Sequence, residues 1–150
     1  MHYRSKTLAA WLAVLGGTLG LHRLYLRGFG DALGWLHALP TAAGLIGLNR
    51  LLTLGQDDRL AWLLLPLLGL MIAQAMLCAI VYALTPDEKW DARHNPGRTG
   101  VATGWGPVLA AVLALLLGGG VLMSTIAYSG QKFFEWQLEQ EAAAARTTSR

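Results

Sequence analysis

Four stretches of this chain carry no Asp, Glu, Lys or Arg: residues 7–22, 32–49, 60–86 and 99–131. A run without charge has no strongly solvated face, so most of its surface must be covered by protein or by lipid. A straight helix needs about 20 apolar residues to cross the ~30 Å hydrocarbon core of a bilayer. The third and fourth runs reach that length unaided. Charged residues make up 14% of the chain and hydrophobic ones 54%, with a mean hydropathy of +0.41. A soluble domain carries about 25% charged residues. The expected fold is therefore all-α: an integral membrane protein of about four hydrophobic helical segments, with short interfacial helices.

The first two runs are marginal. Sixteen residues make only about 24 Å of helix. Segment one must borrow length from Leu24-Tyr25-Leu26, with Arg23 and Arg27 snorkelling to the interface. Segment two carries His37, Pro40 and Asn49. It reads as a tilted span, a broken helix or a re-entrant piece, since backbone groups freed by Pro40 need protein partners. Pro66 is expected to kink segment three. Pro107 opens segment four, where a missing N–H costs nothing. The basic start at Arg4 and Lys6 resembles a secretory signal. No A-x-A-like site precedes His22-Arg23, so the segment is expected to be retained. Cys78 lies in an apolar run and reads as a small packed hydrophobe.

Small residues recur at four-residue spacing. Segment one has Ala9, Ala13 and Gly17, with Gly16 and Gly20 beside them; segment four has Ala110, Ala114 and Gly118. Such stripes let helix backbones approach closely in lipid.

The polar pieces are short. Residues 22–31 form a hinge rich in His22, Arg23, Tyr25 and Arg27. Gly55 can end a helix in the left-handed conformation, and Asp57 or Asp58 can cap the next. Thr85-Pro-Asp-Glu88 reads as a capping box with proline at the first helical position, starting a short helix through Lys89, Trp90 and Arg93. His94-Asn-Pro-Gly97 reads as a turn. Asp87, Asp91 and His94 share a helical face and make a weak metal candidate, with Lys89 and Arg93 competing for the carboxylates. The tail from Gln131 offers Phe133, Trp136 and Gln140 on one side and Phe134 and Leu138 on another, the pattern of an interfacial amphipathic helix.

The expected organisation is a two-helix hairpin over residues 1–54, two further spans over 55–130 joined by an interfacial loop at 85–106, and a tail over 131–150. With four spans and the N-terminus inside, seven basic residues face the cytoplasm (Arg4, Lys6, Arg50, Arg59, Lys132, Arg146, Arg150) and five face out (Arg23, Arg27, Lys89, Arg93, Arg98).

The first fifty residues resemble the TM-two domain family of small membrane proteins. The matching residues are Ser5-Lys6, Leu15-Gly-Gly-Thr-Leu-Gly20 and Leu21-His-Arg-Leu-Tyr-Leu26. They parallel the family's small-residue first helix running into a His-Arg-Phe-Tyr-Leu-Gly hinge. Leu24 stands where the family has Phe, and Arg27 precedes Gly28. Pro40 and His37 depart from the common second helix. Residues 55–97 look similar to an extension in some bacterial members. The resemblance implies a two-helix membrane hairpin and a bacterial inner membrane location. It implies no reaction.

The residues bear on three kinds of function. A non-enzymatic scaffold, assembly or accessory module fits best, with the small-residue faces packing a second copy or another membrane protein and the hinge gripping anionic headgroups of the lipid bilayer. The runner-up is a small oligomeric channel or transporter component, for which Gln74, Ser124, Thr125, His37 and Asn49 are the polar candidates. An enzyme is not expected: no nucleophile motif or phosphate-binding glycine loop is present. No cofactor and no nucleic-acid partner are expected.

Overall fold

The computed structural model describes residues 3–97 and 102–148. It is all-α, and no strand occurs among the described residues. The helices are α1 (Lys6–Gly16), α2 (Leu21–Arg27), α3 (Ala32–Leu36), α4 (Ala38–Leu54), α5 (Arg59–Leu84), α6 (Asp87–His94) and α7 (Gly106–Thr148), with a 3₁₀ turn (Gly17–Leu19) between α1 and α2. Two of them, α5 and α7, are long and apolar enough to cross a membrane.

The first segment does not extend as one rod. Its helix ends at Gly16, passes through the 3₁₀ turn and reaches Gly20 at φ +76°, ψ 14°. This left-handed conformation suits glycine, which has no Cβ to meet the following carbonyl. The chain then reverses. Leu26 of α2 packs with Ala9 of α1 and with Trp90. Leu24–Leu26 therefore does not lengthen the first helix; it doubles back beside it. The two helices form a hairpin whose ends meet near α6 and whose tip reaches Ala75, against which Gly17 packs. Because α5 spans Arg59–Leu84, that tip lies near its middle.

Segment two is a broken helix. Only His37 separates α3 from α4. Pro40 has no N–H for the carbonyl at Leu36, which loosens the ladder there. The bonds around the break are long, 3.4 Å for both His37 N to Gly34 O and Thr41 N to His37 O. The Thr41 hydroxyl donates to the Thr18 carbonyl, tying the start of α4 to the hairpin tip. From there α4 descends α5: Gly44 meets Leu68, Gly47 meets Leu64 and Leu65, and Arg50 pairs with Asp58 at 2.7 Å. The hairpin thus covers one half of α5 and α4 covers the other.

Small side chains form the seam. Ala10, Ala83, Ala110 and Ala111 make one buried cluster, and Ala13, Met76, Ala79 and Ala114 make the next. Gly118 packs on Met76, and Gly69 on Thr125. Helices α1 and α7 both run antiparallel to α5 along this seam. Asp58 caps α5 by accepting from Ala61 N at 2.9 Å. Gly55 ends α4 at φ +88°, ψ −174°, an extended rather than helical left-handed geometry. Pro66 lies inside α5 without ending it.

Two local expectations are corrected. Thr85 does not open a capping box: its hydroxyl donates back to the Val81 carbonyl at the end of α5, and α6 begins only at Asp87, with Pro86 at the N-cap. The tail is not a separate helix from residue 131. Helix α7 runs unbroken to Thr148, because no Gly-Pro or turn cluster interrupts the good helix formers after Gln131. Lys132 docks over the Trp62 ring, and Arg59 pairs with Glu139. Arg98 and Arg150 lie outside the described residues.

Candidate functional site

One end of the bundle gathers most of the polar chemistry. Residues 4–6 are laced onto α6 and its flanks. Arg4 N donates to Asn95 Oδ1 at 2.8 Å, and Asn95 Nδ2 and Trp90 Nε1 both donate to Arg4 O, at 3.2 and 2.8 Å. Ser5 caps α1 by accepting from Leu8 N. Lys6, only 5% exposed, donates to Thr85 O at 2.9 Å and is ion-paired with Asp87. Asp87 also accepts from Thr103 N and Thr103 Oγ1, at 3.0 and 2.6 Å. The Lys6 ammonium, with the Thr103 hydroxyl and N–H, holds the Asp87 carboxyl down to about 2.

These contacts separate the weak metal candidates. Asp87 faces Lys6 and Thr103. Asp91 is buried and accepts from Asn95 Nδ2 at 2.7 Å. His94 lies on the Trp90 ring, centroids 4.4 Å apart. Among the described residues, no group of three His, Cys, Asp or Glu side chains is placed to hold a metal ion.

The hinge residues also part company. His22 points inward, fully buried, with its ring 5.8 Å from those of Tyr82 and His37. Neither of its nitrogens has a hydrogen-bond partner among the described residues. The Tyr25 hydroxyl turns to the Ser5 backbone. Arg23 pairs with Asp31 through two hydrogen bonds of 2.8 and 3.3 Å, and the guanidinium lowers the Asp31 carboxyl below its ordinary range. Arg27 is exposed.

Beside this lacing lies a cleft of about 170 Å³. Arg23, Leu26 and Arg27 line it from α2, Val81 and Tyr82 from α5, and Lys89, Trp90, Arg93 and His94 from α6. Four cations thus converge from two helices, and Asp31 answers Arg23 alone. Partial burial, then Arg93, Arg4 and Arg27, push the His94 imidazole below its ordinary value, toward the neutral form. The arrangement suits an anion with an apolar body: positive rim, aromatic and aliphatic floor. In the sequence Lys89, Trp90 and Arg93 read as parts of a short helix and Asn95 as part of a turn, while nothing local pairs Lys6 with Asp87.

A second groove of about 540 Å³ runs between α5 and α7, lined by Leu65, Pro66, Leu68, Ile72, Leu117 and Tyr128 among others. Thr125 in it donates to the Val121 carbonyl of its own helix. This groove offers apolar burial and little polar chemistry.

No family model, curated protein or solved structure matches the chain.

Proposed function

We propose that the chain is a non-enzymatic integral membrane protein that acts as a helix-packing scaffold, assembly or accessory module. In this reading α3–α4, α5 and α7 cross the bilayer and the α1–α2 hairpin enters from the α6 side and returns to it. One observation carries it: only 17% of the apolar stretch of α5, and of α7, is buried. Leu63, Leu70, Leu77, Val81 and Leu84 on α5, and Leu109, Leu115, Leu116 and Met123 on α7, are all more than half exposed or at that level. Water would penalise that surface by about 25 cal/mol per Å², whereas lipid does not. The small-residue seam supports the same environment, since close backbone approach replaces the hydrophobic drive that lipid removes. Membership of the TM-two domain family, on the first fifty residues, is part of this reading.

The hairpin puts the N-terminus on the α6 side and the end of α7 on the other. Among the described residues, the α6 side carries Arg4, Lys6, Arg23, Arg27, Lys89 and Arg93, and the far side carries Arg50, Arg59 and Lys132 close to the apolar segments. That excess favours the α6 side as cytoplasmic, in a bacterial inner membrane.

The test is carbonate extraction of membranes, followed by membrane-impermeant thiol labelling in a Cys78→Ser background. Single cysteines replace Tyr3, Gln56, Glu88 and Glu141. Tyr3 and Glu88 positions should label from one side, Gln56 and Glu141 positions from the other. Four full crossings would instead put positions 3 and 88 on opposite sides.

A further inference from the structure

The cleft at the α6 end has an unusual set of free cations. Arg27, Lys89 and Arg93 have no ion-pair or hydrogen-bond partner among the described residues, whereas Arg23 is held by Asp31 and Lys6 by Asp87. Like charges cost energy when brought together, and a folded protein usually disperses them or supplies counter-charges. Here two rigid helices hold them around one opening. Trp90 is buried beneath them and braced by Arg4 O, so the floor is fixed before any ligand arrives.

The wall of the cleft tells which anion fits. Val81 lines it and is 54% exposed. Leu77 and Leu84 stand four residues before and three after Val81 on α5, so all three share one helical face, and both are exposed. An apolar track therefore leads out of the cleft along α5. A free phosphate ion would use the rim and leave that track bare. An amphiphile with a phosphate head would use both.

We propose that this cleft binds the phosphate of an anionic phospholipid, held by Arg27, Lys89 and Arg93, with an acyl chain along Leu77, Val81 and Leu84. Trp90 and Tyr82 pack against the glycerol region. Arg23, fixed by Asp31, sets the position of α2 and hence of Arg27. The assignment rests on the membrane reading above, and it names the ligand by which such a module is anchored and oriented.

The experiment uses the full chain in nanodiscs containing phosphatidylcholine and phosphatidylglycerol, with retained lipids counted by native mass spectrometry. The wild type should keep phosphatidylglycerol selectively. Arg27→Gln with Arg93→Gln should lower that selectivity about tenfold or more, since basic residues near an anionic surface attract its headgroups. Arg27→Lys with Arg93→Lys should retain most of it. Arg59→Gln at the far end should leave it unchanged. Equal retention of both lipids by the wild type, or an equal loss in the Arg59 variant, overturns the proposal. So does displacement of the lipid by added inorganic phosphate that binds equally well without it, because the ligand is then the free ion. Release of the wild type by carbonate overturns the membrane reading and this one together. Carbonate-resistant protein with no lipid preference overturns this one alone.

Discussion

The backbone N–H of Ser5, just before α1, donates to the hydroxyl of Tyr25, near the end of α2, over 2.8 Å. That bond closes the open end of a hairpin whose other end is Gly20. A Cβ at Gly20 would sit 2.1 Å from the Gly34 carbonyl oxygen, in addition to being strained at φ +76°. Gly20→Ala should therefore destabilise the protein by about 3 kcal/mol, combining a left-handed penalty of roughly 1–2 with an overpacking cost of similar size. Thermal unfolding in detergent measures it. A loss no greater than that of Tyr25→Phe would mean that the reversal is not held at Gly20.

The contact of α4 with α5 depends on two absent side chains. A Cβ at Gly44 would come 2.4 Å from Leu68 N, and one at Gly47 2.6 Å from Leu65 N. Backbone atoms cannot swing aside as a side-chain tip can. Gly44→Ala and Gly47→Ala should each cost about 1–3 kcal/mol. Gly119→Ala, where nothing lies within 4 Å, should cost nothing and can gain from the better helix propensity of alanine. Equal effects at all three positions would show that propensity, not packing, governs the glycines.

His22 is the largest fully buried side chain, and both its nitrogens lack partners among the described residues. An unmet buried polar group costs roughly 1–3 kcal/mol. His22→Leu should therefore match or exceed wild-type stability, while His22→Ala should lower it by leaving a cavity. A large loss in the Leu variant would identify a hydrogen-bonding role for the ring. Neither variant should change lipid selectivity, because His22 is not among the residues that line the basic cleft.

The charge-free runs make the all-α class and helices α5 and α7 legible in the sequence, because length and apolar content alone specify them. Asp58 as a cap is equally local. The reversal at Gly20 is not local. Residues 7–22 contain no charge or proline to mark a break, and glycine permits a left-handed φ without requiring one. Segment one therefore reads as a short rod needing extra length, when the chain reverses at Gly20 and α2 doubles back beside α1. The cleft follows the same division. Arg27, Lys89 and Arg93 are visible as basic residues beside apolar runs. Their convergence depends on the hairpin returning α2 to α6, and on the Lys6–Asp87 pair 81 residues apart, which no local pattern encodes.

Asp87 anchors the N-terminal segment through Lys6. Asp87→Asn would leave the Lys6 ammonium buried without its counter-charge. The expected loss is about 1–3 kcal/mol, between the values for exposed and buried pairs, because the Asp87 side chain is 34% exposed. The folded carboxyl titrates at about 2 against an ordinary 3.8. Its contribution is therefore fully present above 3.8 and is lost as pH falls from there toward 2. Unfolding midpoints across that window should drop for the wild type and stay flatter for Asp87→Asn. Parallel profiles would mean that the pair adds no pH-dependent stability.

His94 reports the charge of the cleft. Partial burial and the cations Arg93, Arg4 and Arg27 lower its imidazole below the ordinary 6.5. The stability it contributes is present above 6.5 and is lost as pH falls through the lower folded value. An anion bound between Arg27 and Arg93 would offset those cations and favour the imidazolium. Its titration, followed by the ring carbon-bound proton in nuclear magnetic resonance, should therefore move upward when phosphatidylglycerol is added to phosphatidylcholine nanodiscs. Arg27→Gln with Arg93→Gln should raise the starting value by removing two of the cations, and it should also abolish the lipid-induced shift. A shift of equal size in that variant would place the lipid charge elsewhere on the membrane surface, since surface potential acts on every group at the interface. The variant thus separates a lipid seated in the cleft from one that only surrounds the protein.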